Sequence, residues 1–223
     1  MLIILKGGNK MIKLKRIMFA TLCLTMLIGG TSVFAASDIK NYQPTEKVVD
    51  GVTYLDGIPL YTNEDVKSGK VSEDLRAGKI EVNRPMSLMS TNSDTKNKWV
   101  LTGTTNIYQG HDYDRFNNIG STVAERKLTT TSETYFEISG ETSYGFKEIA
   151  EVKIGGKVGA KWGKTISDKY AIPVGWVTEQ KTACKVPVYS YQYVKSGIFG
   201  GTYYAEAYGK NGTETWIYSN PIR

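Results

Sequence analysis

Between Tyr135 and Thr165 the chain alternates with period two along two consecutive arms, and few folds accept such a pattern. On the second arm Ala150, Val152, Ile154, Gly156, Val158, Ala160 and Trp162 hold the even positions, while Glu151, Lys153, Gly155, Lys157, Gly159, Lys161 and Gly163 hold the odd ones. On the first arm Phe136, Ile138, Gly140, Tyr144 and Phe146 share one face, broken by Thr142, and Glu137, Ser139, Glu141 and Ser143 share the other. Successive side chains of a strand point to opposite faces, so the alternation predicts an amphipathic β-hairpin turning at Lys147-Glu148-Ile149. In that register Phe146 faces Ala150, Tyr144 faces Val152, Ile138 faces Val158 and Phe136 faces Ala160. The polar face sets Glu141 diagonal to Lys153 and Lys157, and Glu137 diagonal to Lys157 and Lys161, each pair adding a few tenths to about 1 kcal/mol.

The same stretch contains GGKVGAKWGKT, residues 155–165, whose Gly-Lys-Thr ending invites a phosphate-loop reading. A loop that wraps a β-phosphate needs its first glycine five residues before that glycine, and this position is Val158. No nucleotide is expected, and no cofactor. His111 is the single histidine, so a nucleophile-base pair or a histidine metal site lacks partners. Asp112, Asp114 and Asn117 resemble half of a calcium loop without its glycine and closing glutamate, and read as a polar turn. No catalytic set emerges, and no enzyme is expected.

The chain of 223 residues suffices for one domain with a core. Lys13, Lys15 and Arg16 precede an apolar run ending at Val33-Phe34-Ala35, the form of a secretory signal cut after Ala35, with Met11 as the start. The expected location is therefore extracellular. Of 28 Lys and Arg, five lie in that leader, which leaves 23 against 22 Asp and Glu, so a nucleic-acid partner is not expected. Cys184 is then the one cysteine left, with no intramolecular disulfide to make.

Residues 36–98 are polar and broken, with turn signals at each Asp-Gly and at most one or two helical turns in EDLRAGK; they read as an N-terminal extension, partly ordered or a pro-segment, closed by the linker 89–98. From Trp99 onward β-branched and aromatic residues dominate, which predicts an all-β domain over 99–223. Its strands are expected in KWVLTGTTNIYQ, in 120–146, in 150–167, in VTEQKTACKVPVYSYQYVKS, in GTYYAEAYG and in TETWIYS.

Two placements satisfy the hairpin. One is the inner face of a β-sandwich; the other is a bilayer, whose hydrocarbon a tilted strand of about 9–11 residues spans with alternating lipid-facing and lumen-facing side chains. The order of features resembles the membrane-inserting domain of the aerolysin-like β-pore-forming proteins, in the epsilon-toxin and mosquitocidal-toxin branch, over roughly residues 99–200. The Ser/Thr-rich KLTTTSETYFEISGE leads into the hairpin, GKTISDKYAIP leads out, and GWVTEQKTACKVPVYSYQYVKSG follows the Ile172-Pro173 turn. That resemblance implies long antiparallel sheets or a sandwich, homo-oligomers on a target membrane, and a hairpin of residues 135–165 that inserts. Its lipid-facing residues are then Phe136, Ile138, Tyr144, Phe146, Val152, Ile154, Val158 and Trp162, and its polar face is Glu137, Glu141, Lys153, Lys157 and Lys161. The family's separate receptor domain has no counterpart here. The alternative is a secreted sandwich that binds a glycan or matrix component through an aromatic strip of Trp176, Tyr189, Tyr191 and Tyr193.

Overall fold

The structure, a computed structural model, describes residues 38–40, 42–84 and 96–223. The expected leader and most of the expected linker lie outside the described residues.

Two 20-residue strands, β5 (Trp99–Asn118) and β9 (Trp176–Lys195), pair antiparallel over nearly their whole length. Both are rich in Thr, Val and Tyr, which pack well on a pleated surface. The other edge of β9 is filled end to end by β10 (Gly201–Tyr208) and β11 (Gly212–Pro221). Pro187 marks their junction: its carbonyl accepts from Gly209 N at 2.9 Å, so its missing N–H faces the gap between β10 and β11 and deletes no rung.

Residues expected as an N-terminal extension belong to this sheet. β2 (Glu46–Val49), β3 (Val52–Leu55) and β4 (Ile58–Tyr61) form a meander, and β4 joins β5 in parallel. Its two turns are Asp50-Gly51 and Asp56-Gly57, with positive φ at both residues as two-residue hairpin loops require. β1 (Asp38–Lys40) runs parallel to β11. Two short helices follow the meander, α1 (Asn63–Lys67), with a capping box between Thr62 and Asp65, and α2 (Lys70–Arg76). Ser72 of α2 donates to the buried Glu206 of β10 at 2.7 Å, and Asp74 binds Lys70, Lys79 and the Tyr61 hydroxyl. Burial pushes the Asp74 carboxyl up, yet those three hydrogen bonds outweigh it and hold it at about 2.

A separate two-stranded sheet, β6 (Ala124–Tyr135) with β8 (Lys161–Ile172), lies over β5 and β9. The chain is thus all-β with long antiparallel strands, as its composition implies, and its hairpin is a second layer on the main sheet.

The hairpin itself differs from expectation. Tyr135 pairs with Lys161, and Phe136 N donates to Ala160 O at 3.0 Å, so the register is the one read from the alternation. The ladder stops there. β7 (Glu137–Gly140) leaves to pair with β10, and the expected turn lies inside a helix, α3 (Phe146–Ile154). The reason lies in the spacing: Phe146, Ala150 and Ile154 recur every fourth residue, which satisfies a strand of period two and also one face of a helix. Lys, Glu, Ala and Ile between them tolerate a helix, Glu148 and Lys153 suit its dipole, and Gly155 takes the left-handed conformation that ends it.

Candidate functional site

The underside of the β6–β8 hairpin meets β9 through hydroxyl and amide groups. Leu128, Thr130, Ser132 and Thr134 of β6 are buried, as are Trp162, Ile166 and Ile172 of β8. Thr130 Oγ1 lies 2.6 Å from Thr182 Oγ1, which lies 3.2 Å from Thr215 Oγ1. Gln180 donates Nε2 to Thr130 Oγ1 at 2.7 Å and to Ile166 O at 3.2 Å, and accepts from the Tyr170 hydroxyl on Oε1 at 2.9 Å. Ser132 Oγ donates to Cys184 Sγ at 2.9 Å. Burial pushes the Cys184 thiol up in pKa, against hydrogen bonds from Ser132 and Thr213. Toward the end of the ladder the contact turns apolar, where Trp162 enters the main core and Phe136 lies 6.4 Å from it.

Side chains, not a ladder, hold the open edge of β6. Asp114 Oδ2 accepts from Thr129 N at 2.8 Å, Asp112 Oδ2 accepts from Thr131 N at 2.7 Å, and Asn63 Nδ2 donates to Glu133 O at 3.0 Å. Asp112 and Asp114, read from sequence as a polar turn, stand on β5 and clasp the hairpin.

Residues 136–160 carry most of the expected lipid-facing set, and in this structure those residues mostly meet protein. Phe146 and Ile154 are buried with Trp99, Tyr191, Ala205 and Ala207, and Phe136, Ile138 and Val158 are half-buried against the same group. Gly156 lies under the Phe136 ring, where an added Cβ would come within 2.7 Å of it. Two residues differ: Tyr144 is exposed, and Val152 is 85% exposed on the outer side of α3.

The expected charge pairs do not form. Lys161 pairs with Glu133, Glu141 accepts from Ser143 N at 2.9 Å, and the Lys153 ammonium sits 4.7 Å over the Tyr189 ring. Glu137 is half-buried on β7 and Lys157 exposed beyond α3, so neither faces the partner its register assigned.

The aromatic strip is corrected as well. Tyr189, Tyr191 and Tyr193 do share a face, but α3 and Trp99 cover it: Phe146 meets Tyr191 edge-on at 5.4 Å, and Trp99 lies 5.3 Å from Tyr193. Trp176 opens β9 thirteen residues before Tyr189, about 43 Å away at strand rise. It shares no surface with them.

His111 sits at a bulge in β5 and lines a shallow cleft with Tyr61, Asn63, Asp65 and Lys70. Its ring is exposed at the cleft rim, and partial desolvation there together with Lys181 lowers its pKa. Among the described residues no group of three His, Cys, Asp or Glu is placed to hold a metal ion, and no helix is long and apolar enough to cross a membrane.

The polar underside was hidden in the sequence, because KLTTTSET carries hydroxyls on both faces and the period cannot say which face is buried. The readable signal lay in β9, where Thr178, Gln180 and Thr182 precede Cys184, Val186 and Val188 on the same face. No protein-family model matches the chain, and no curated protein matches it.

Proposed function

We propose that this chain is a secreted pore-forming protein of aerolysin type, which oligomerises on a target membrane and inserts residues 136–160 as a continuation of the β6–β8 hairpin. The observation that carries the reading is the hairpin's attachment to β9 by hydroxyl and amide hydrogen bonds, with a ladder whose register runs on into the alternating segment. Hydrogen bonds exchanged with water contribute only about 0.5–1.5 kcal/mol each, so such a layer separates more readily than a leucine-valine interface of equal area. The segment to be inserted holds a helix of nine residues, which is marginal without its packing.

Continued in the same register, residues 136–146 and 150–160 form arms of 11 residues turning at 147–149. That length suits a tilted strand across hydrocarbon. Phe136, Ile138, Phe146, Val152, Ile154 and Val158 then face lipid, while the Ser/Thr-rich β6 and β8 stay outside it as a stem. The target is lipid, with no nucleotide and no nucleic acid.

Val152→Lys tests this. The side chain is exposed in the folded chain, so its replacement costs within about 0.5 kcal/mol of stability. In the inserted hairpin it stands roughly halfway between midplane and interface, where a lysine costs about 1–2 kcal/mol in every subunit. The variant is expected to keep the wild-type melting curve and to lose dye release from vesicles. Unchanged release, or a wild-type protein that releases no dye from any vesicle and never oligomerises on one, would sink the proposal and leave the surface-ligand alternative.

A further inference from the structure

The turn between β9 and β10, residues 196–200, projects two large apolar side chains into solvent. Ile198 is 98% exposed and Phe199 is 89% exposed. A fold gains nothing by holding both clear of any neighbour, and adjacent bulky apolar residues at a loop tip are the kind of patch that marks a binding surface.

What surrounds them narrows the partner. Just behind the tip, Tyr144 stacks on Tyr193 at 4.6 Å and lies 5.3 Å from Tyr203, giving a cluster of amphipathic rings in the next layer down. Lys195 places its ammonium 5.5 Å over the Tyr144 ring. Residues 96–98 brace the turn, with Asn97 N donating to Val194 O and the Asn97 side chain bonded to Ser196, and this brings the exposed Lys96 and Lys98 to the same end. Among the described residues Glu141 lies near Tyr203, and it is engaged by Ser143 N. An apolar wedge, a ring of tyrosines and a collar of lysines follow the order of layers met on entering an anionic bilayer: hydrocarbon at the tip, aromatic rings at headgroup level, cations at the charged surface.

We infer that the β9–β10 turn is a lipid-docking tip, in which Ile198 and Phe199 enter the acyl boundary of an anionic membrane and Lys96 and Lys195 contact its headgroups. The inference rests on the membrane-acting reading above and names its first contact. Tyr144 belongs both to this tip and to the loop that leads into α3, so docking here sets the bilayer beside the segment that has to leave.

Vesicle co-sedimentation of the purified protein tests it, with phosphatidylcholine vesicles and with vesicles carrying roughly 30% phosphatidylserine. Ile198→Ser combined with Phe199→Ser should lower partitioning about tenfold or more, with an unchanged melting temperature because both side chains lack packing. Lys96→Gln should weaken binding to the anionic vesicles only. Ile119→Ser removes an apolar side chain that is 87% exposed at the opposite end of β5, and should change nothing. Partitioning that survives the double serine change, an equal loss with Ile119→Ser, or a wild-type protein that sediments with neither vesicle overturns the tip. Failure of the pore reading looks different: the protein docks through 198–199 and releases no dye. Conversely, wild-type dye release by the double serine variant ends the tip and leaves the pore reading standing.

Discussion

Ser132→Cys places a second sulfur beside Cys184 and gives a reversible lock on the hairpin. The two groups are already in contact, Ser132 Oγ to Cys184 Sγ at 2.9 Å, so reaching the roughly 2.05 Å of a disulfide takes about 0.9 Å of movement. The bond closes a loop of 52 residues and, by chain entropy, adds about 4 kcal/mol to the folded state. It also joins β6 covalently to β9, so the hairpin cannot lift however strongly the membrane draws it. Because burial raises the Cys184 thiol, the thiolate that initiates exchange is scarce, and bond formation calls for an added oxidant and confirmation by the mass of two lost hydrogens. Dye release from vesicles is then compared for oxidised and reduced protein. The oxidised form should melt higher and release dye no faster than vesicles alone, and reduction should restore the wild-type rate, since Ser→Cys changes little else. Release at the wild-type rate by protein whose disulfide is verified would mean that the hairpin need not leave β9, and the mechanism would be refuted.

Asp112→Ala with Asp114→Ala removes two carboxylate acceptors from the edge of β6, at about 1 kcal/mol each, and should speed alkylation of Cys184 by roughly 30-fold while the far-ultraviolet dichroism stays unchanged. Equal protection of Cys184 in that variant would show the clasp to be idle. Asp74 has a folded pKa of about 2, below its ordinary value, so it stabilises the fold above about pH 4 and that contribution is lost as the pH falls toward 2. Melting temperatures of wild type and Asp74→Asn should therefore differ by a constant amount between pH 5 and 7 and converge in strong acid.

Much of the molecule is legible in the residues. Asp50-Gly51 and Asp56-Gly57 announce their turns because both positions need positive φ. The β-branched and aromatic runs announce β9, β10 and β11 nearly to their ends, whereas β5 continues nine residues past the stretch expected for it and β6 stops at Tyr135, well inside the strand expected over 120–146. Even the hairpin's register is readable, since a slip by one residue would turn every apolar side chain to the wrong face. Other features are not. β2 to β4 are only four residues each, and what makes them strands is the edge of β5 to which β4 adds, a partner more than forty residues away along the chain.

By itself, then, the sequence determined the all-β class, the long strands and the phase of alternation, because these depend on local propensity and on a period of two. Only the tertiary structure decided that GGKVGAKWGKT splits, with Gly155 ending a helix and Lys161 opening β8. Apolar residues at every fourth position fit helix and strand alike, and the choice fell to the surface awaiting them. Trp99, Tyr191, Ala205 and Ala207 offer a patch that the Phe146, Ala150 and Ile154 face of a helix covers. The burial of Thr130, Ser132, Gln180 and Thr182 was likewise a tertiary outcome, for a hydroxyl can face water or another hydroxyl, and only the opposing strand says which.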